Sequence, residues 1–363
     1  MRKFYIMLAV IVIAAMTLVS GCAQQVSTPA AVGEPTSSSA TQKFTWNLQL
    51  SLPDGVAVTD EIKIFAKQVE TFTGGRLVIK VQPLGALVAI PEMLNAAGAG
   101  SVEMVVVALP WYAGKDPAFN MWSSGPFNLP PLLQEIWMTK WPGTWELLEG
   151  QCASFNVLPI GIMFGSECLM SKVPIRSLQD FKGVRVRTAG YGTSFFKELG
   201  AAPMAVTGED IYLSLERGLV DAVEYGGLGV NLKSGYGEVT KYIISPVLHS
   251  PSYDQTILVS KSAWDKLPND IKEIVSTLGK YWGMSDTLAT EYEDISQLDR
   301  VIMKEKKMEQ IVLSDADVAT AIKIGEKIGE EASKANALST QIWNSLKAFE
   351  KAYNIQKGQY GWK

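Results

Sequence analysis

Few residues in this chain have types and spacing that could do chemistry, and the most telling is an arginine. The stretch Gly183-Val-Arg-Val-Arg-Thr-Ala-Gly190 is a short β-branched run that ends on Arg187. Downstream, Glu209-Asp-Ile-Tyr-Leu-Ser-Leu-Glu-Arg-Gly-Leu-Val-Asp-Ala-Val-Glu-Tyr225 reads as a helix followed by a strand that delivers Glu224 and Tyr225. The Arg187 guanidinium is a planar fork of donors that matches a carboxylate in two parallel bonds, which a lysine cannot do. The pattern reads as a receptor for a small organic acid. The competing reading makes Arg187 a surface residue, or half of an ion pair with Glu224.

Other chemistry is poorly supplied. The chain has one histidine, His249, so Ser-His-Asp, Cys-His and multi-histidine metal sites would all rest on it. No GxSxG, HExxH or Gly-rich phosphate loop accompanies it. Beyond Cys22 only Cys152 and Cys168 remain, able to pair or to sit free and buried. Enzymatic function is disfavoured. Removing residues 1–21 leaves 31 basic against 37 acidic residues, a net charge of −6. With no basic cluster to neutralise phosphates, nucleic acid is excluded as a partner.

The elements that must hold these residues alternate as in an α/β protein. Trp46 to Leu52 reads as a strand leaving through Pro53-Asp-Gly55. Asp60 to Phe72 is a helix with Ile62, Phe65, Val69 and Phe72 on one face, stopped by Gly74-Gly75. Leu77 to Gln82 is a strand, Ile90 to Ala99 a helix and Val102 to Val107 a third strand. Such alternation implies crossover units on a largely parallel sheet. A second unit, from Pro159 to Tyr225, places Arg187, Glu224 and Tyr225 at strand C-terminal ends, where open α/β sheets bind ligands. From Pro268 a long helix carries Ile271, Val275, Leu278, Trp282, Leu288, Tyr292, Ile295 and Ile302 as a core stripe that braces two lobes. Ser314 and Asp317 open a further helical region, with Ile342, Leu346 and Phe349 on one stripe.

The N-terminus reads as an export signal. Arg2 and Lys3 precede an apolar run from Phe4 to Val19, too short for a confident spanning helix. It ends Leu18-Val-Ser-Gly-Cys22, which resembles a lipobox with Cys22 as the lipidated first residue; an ordinary secretory signal is the alternative. Residues 23–42 carry one charge and no aromatic, and read as a disordered tether.

Several segments together resemble a known family. Phe65-Ala-Lys-Gln-Val-Glu-Thr-Phe-Thr-Gly-Gly-Arg-Leu-Val-Ile-Lys-Val81, Asp180-Phe-Lys-Gly-Val-Arg-Val-Arg187, Leu199-Gly-Ala-Ala-Pro203 and Tyr212-Leu-Ser-Leu-Glu-Arg-Gly-Leu-Val-Asp221 occur in the order seen in the DctP-like substrate-binding proteins of tripartite ATP-independent periplasmic (TRAP) transporters. The likeness covers residues 44–363. Trp111-Tyr-Ala-Gly-Lys-Asp-Pro-Ala-Phe119, Gly125-Pro-Phe127, Asp221-Ala-Val-Glu-Tyr225, Lys241-Tyr242 and Trp264-Asp-Lys-Leu-Pro268 are similar to its α-keto acid-binding branch.

The resemblance implies a two-lobed periplasmic binding protein of type II-like α/β fold, with a long bracing helix and C-terminal helices. Its parts would be a signal peptide (1–21), a lipidated cysteine and tether (22–43), lobe I (44–164 plus 254–295) and lobe II (165–253 plus 296–363). The receptor would sit in the periplasm or on the outer face of the cytoplasmic membrane. It would capture a small carboxylate, of 2-oxo or 2-hydroxy monocarboxylate type, and deliver it to small and large TRAP membrane subunits; a homodimer is compatible with this. A ligand sensor for a signalling receptor, or a binder of a larger or aromatic carboxylate without a cation, would use the same fold.

Arg187 falls on the family's carboxylate-gripping arginine. Glu224 and Tyr225 fall where the keto acid branch has a Glu-Trp pair contributing to a bridging cation, sodium or calcium, with Glu224 as the metal ligand. Counting places Ser250 where that branch has another glutamate, and Ser166 or Glu167 where it has a polar ligand. A hydroxyl is a poor substitute for a carboxylate ligand, so Glu167 or Asp254 would have to compensate. Trp111, Tyr112 and Trp122 are aromatic candidates for the pocket wall against a plain core role, and His249 is a candidate to face the ligand.

Overall fold

Residues 42–360 are described by this computed structural model, without the side chains of Glu209 and residues 355–360. The expected signal peptide, Cys22 and nearly all of the expected tether lie outside the described residues. Alternating apolar residues build the first strands: β1 (Phe44–Gln49) buries Trp46 and Leu48, and β2 (Leu77–Gln82) buries Leu77 and Ile79. Between them α1 (Ala57–Phe72) buries Ile62, Phe65 and Val69. Gly74 and Gly75 end it at φ 63° and 75°, the left-handed region that glycine adopts without steric cost. Phe72, expected on that stripe, is exposed because the helix finishes there.

The chain continues through α2 (Met93–Ala99), β3 (Met104–Val107), α3 (Pro131–Lys140), α4 (Thr144–Ala153) and β4 (Val157–Ser166). A second group follows: β5 (Leu169–Ser171), β6 (Arg185–Arg187), α5 (Gly192–Glu198), β7 (Ala202–Met204), α6 (Ile211–Glu216) and β8 (Ala222–Glu224). After α7 (Leu228–Lys233), α8 (Tyr236–Val239) and β9 (Tyr242–Ser245), the chain returns as β10 (Ser252–Ser260) and α9 (Lys261–Trp264). The long α10 (Asn269–Leu298), β11 (Glu309–Val312), α11 (Asp315–Ala332) and α12 (Ala337–Tyr360) complete it. Ser314 caps α11 as expected, its hydroxyl accepting from the Asp317 amide at 3.1 Å.

Two mixed sheets result, with strand orders β2-β1-β3-β10-β4 and β11-β9-β5-β8-β6-β7. The expected parallel arrangement holds for β1 with β2 and β3, and for β6 with β7 and β8. It fails at β10, antiparallel to both β3 and β4, and at β5, antiparallel to both β8 and β9. The cause is the route of the chain. It leaves the first sheet at β4 and enters the second at β5 across residues 167–168, then returns from β9 to β10 across residues 246–251. A strand re-entering from the far side runs against its neighbours.

At 30 residues α10 spans about 45 Å. Its first half packs on β4 so closely that a Cβ on Gly279 or Gly283 would lie 2.4 or 2.0 Å from the Ile160 or Ile162 carbonyl oxygen. The buried stripe, however, turns polar midway: Asp286, Thr287 and Thr290 face inward while Leu288, Tyr292 and Ile295 are exposed, contrary to the expected apolar core. The polar face holds backbone instead. Thr287 accepts from the Phe164 amide, Glu291 from Ser166 and Asp294 from Gly229. Cys152 and Cys168 are free and buried, and burial pushes both thiols up in pKa. Among the described residues no helix is long and apolar enough to cross a membrane.

Candidate functional site

β6 and β8 are parallel neighbours, with Arg187 opposite Val223, so Arg187 and Glu224 end adjacent strands at their C-terminal edges. Arg187 is only 9% exposed. Its Nε donates to the Val206 carbonyl at 3.0 Å and its Nη1 to the Glu224 carbonyl at 2.7 Å. The guanidinium lies 5.0 Å from the centre of the Tyr225 ring, a cation–π contact. The Glu224 carboxylate takes no part: its Oε2 accepts from Thr188 Oγ1 at 2.9 Å and lies 2.7 Å from His249 Nε2. The expected alternative of an Arg187–Glu224 ion pair is therefore absent. Among the described residues no carboxylate pairs with Arg187, and burial disfavours its charged form.

Arg187, Glu224, Tyr225, Glu167 and Trp111 border one cavity of about 90 Å³, as the sequence suggests. Their convergence follows from the chain route. Glu167 lies in the first crossing between the sheets, and His249 and Ser250 lie in the return crossing. His249 is buried, 3.3 Å from Glu167 Oε2. Its ring packs on that of Phe196 at 5.1 Å between centres.

Tyr112 is a correction. It is buried in the core, and its hydroxyl donates to the Ile90 carbonyl at 3.0 Å, away from the cavity. Trp111 and Tyr112 share the 3₁₀ turn Leu109–Tyr112. At about three residues per turn, neighbours there point roughly a third of a turn apart and cannot share a wall. Trp122 is also core, its Nε1 donating to Gln151. The structure adds Ser123, Ser124 and Gln255 to the cavity wall. Only the small polar run before Gly125 could have hinted at the serines.

Calcium takes about six to eight oxygen ligands at roughly 2.3–2.6 Å. Ser250 lies 2.8 and 2.9 Å from the carbonyls of Ser123 and Ser252, so its one hydroxyl proton is spent there. Asp254 accepts from Ser123 at 2.5 Å, Thr256 at 2.8 Å and the Leu109 amide at 3.2 Å, and burial raises its pKa to about 6. Neither compensates for the missing glutamate, and Ser166 does not reach the cavity. An imidazole nitrogen occupies the seat beside Glu224, a ligand that suits transition metals rather than hard cations. Glu167, Glu224 and His249 do bring three donor atoms within 4.8 Å of one another, but two carboxylates and an imidazole are a poor set for calcium, which takes about six to eight oxygens.

Comparison with known proteins agrees with the fold. A monocarboxylate 2-oxoacid-binding periplasmic protein of Nostoc is 29% identical over 310 residues, covering 84% of each chain. A TRAP periplasmic solute-binding protein from Colwellia psychrerythraea with bound calcium and pyruvate superposes with a TM-score of 0.79, at 20% identity over 88% of this chain and 97% of that one. One from Pseudoalteromonas atlantica with bound sodium and pyruvate gives 0.77, at 22% identity over 87% and 96%. The family model described as DctP, bacterial extracellular solute-binding protein, family 7, matches residues 50–335. The chain belongs to that family, as an extracytoplasmic solute-binding protein and not an enzyme.

Proposed function

We propose that this protein is the receptor of a TRAP-type secondary transporter and captures a small 2-oxo or 2-hydroxy monocarboxylate by closing two lobes around Arg187. Lobe I would comprise residues 44–164 plus 254–295 and lobe II residues 165–253 plus 296–363, with the ligand passed on to the small and large membrane subunits. The observation that carries the reading is a buried guanidinium that borders a cavity and has no acidic partner among the described residues. Such a charge is costly unless an anion completes it. Tyr225 lies against the guanidinium and Trp111 supplies apolar wall.

Size supports a small ligand. The cavity, about 90 Å³, suits a short acid. The Nostoc relative and the two pyruvate-bound structures point to the same class. No bridging cation enters this reading, because the donor set does not suit one. Thermal unfolding against a panel of carboxylates tests it. A ligand at 100 times its Kd stabilises by about 2.7 kcal/mol, on the order of 5 °C for a chain of this size. Pyruvate, lactate or a close homologue should give such a shift and aromatic acids should not; no shift from any short 2-oxo or 2-hydroxy acid would contradict the proposal.

A further inference from the structure

Two carboxylates, Glu167 and Glu224, border a cavity whose occupant is itself read as an anion. Arg187 offsets only one negative charge, and the remaining charged group on the wall, Asp254, is acidic. Like charges this close disfavour ionisation and repel an incoming anion. Something must compensate, and the structure provides His249.

Distances separate two ways of doing so. An ion bound to both donors at roughly 2.0–2.6 Å, at a right angle or wider, holds them about 2.9 Å or more apart. His249 Nε2 and Glu224 Oε2 are 2.7 Å apart, closer than a shared ion would hold them. Glu167 Oε2 approaches the same nitrogen at 3.3 Å and is buried without a hydrogen bond of its own. The ring is fixed from behind by Phe195 and Phe196, and a Cβ on Gly192 would come within 2.7 Å of its Cδ2. Thr188 holds the same Glu224 oxygen at 2.9 Å. Glu167 and His249 come from the two opposite crossings, so the cluster forms only where the sheets meet.

We propose that His249 stands in for a bridging cation: its ring nitrogen, set between the Glu224 and Glu167 carboxylates, takes the position a shared ion would occupy, so that the pocket accepts a monocarboxylate without metal. This rests on the receptor reading above and assigns His249 as a residue on which ligand binding depends.

Titration calorimetry with pyruvate and lactate tests it, on protein dialysed against EDTA and held in sodium-free choline buffer. Wild-type affinity should be the same within about twofold with or without added calcium or sodium. His249→Ala should bind about 10- to 100-fold more weakly in that buffer, the loss expected for a hydrogen bond to a charged group. Adding calcium or sodium should recover part of that affinity, because the vacated space lies between two carboxylates; a merely structural histidine would show no such rescue. Wild-type binding abolished by cation removal and restored by replacement overturns the inference while leaving the receptor reading intact. Unchanged binding by His249→Ala without cations overturns it equally. The wild-type comparison needs no variant, so it decides even if His249→Ala does not fold. Failure of every short acid to bind under any condition would overturn the receptor reading itself, and this inference with it.

Discussion

A guanidinium taken out of water loses hydration worth several kcal/mol, and unpaired burial of that kind persists only where something offsets it. At Arg187 two backbone carbonyls and one aromatic face do part of this. Carbonyl dipoles do not neutralise a charge, and the proposed ligand carboxylate would complete the balance. A lysine would keep the charge but could not hold Val206 and Glu224 while presenting two parallel donors to a ligand. Arg187 and Glu224 are legible in the sequence because each ends a short strand pattern. His249 is legible only as a candidate to face the ligand, through its place beside Ser250, since a lone histidine between Leu248 and Ser250 has no periodic or motif context of its own. Its meaning arises only when residues 167 and 249, far apart in the chain, meet at the two crossings. Tyr112 misleads for a related reason: adjacency to Trp111 says nothing of direction until the turn type is known.

Among the elements, α10 carries the clearest energetic conflict. Glycine inside a helix costs about 1 kcal/mol relative to alanine, so Gly283→Ala should stabilise an isolated helix. Here the added methyl would sit 2.0 Å from the Ile162 carbonyl oxygen, which is backbone and cannot turn aside. Overpacking of that kind costs about 1–3 kcal/mol or more, so it outweighs the propensity gain. Gly283→Ala should therefore lower the urea midpoint; an equal or higher midpoint would show that α10 does not lie this close to β4. The helix, its approximate start and strands such as Leu77–Gln82 are readable from period and turn residues. The polar half of its buried face is not. Thr287, Glu291 and Asp294 serve backbone amides of β4, the crossing beyond it and α7, and Thr290 bonds Asp286 alongside them, while apolar periodicity follows Leu288, Tyr292 and Ile295 outward instead. Strand direction is also hidden, since β5 and β10 take theirs from chain crossings rather than from local sequence.

For the whole molecule, the buried acids set the pH response. Burial is the largest influence on Glu135, Asp294 and Asp254, raising their pKa values to about 8, 7 and 6. Between about pH 4 and pH 8 the folded chain thus retains protons that the unfolded chain has released. Stability from these groups is fully present near pH 4 and is lost as pH rises through each folded value, by about 1.4 kcal/mol for every tenfold difference in proton affinity between the folded and unfolded chain. The melting temperature should be higher at pH 5 than at pH 8.5, and the reverse order would contradict these burials. The same interior joins the two sheets at the cavity, where closure would bring Arg187 onto its ligand. The most direct test of that claim is titration calorimetry of pyruvate and lactate into wild type, Arg187→Ala and Arg187→Lys. Removing one partner of a buried charge pair costs about 3–5 kcal/mol, so Arg187→Ala should bind roughly two to three orders of magnitude more weakly, with Arg187→Lys also well below wild type. Unchanged affinity in Arg187→Ala would contradict the placement of the site.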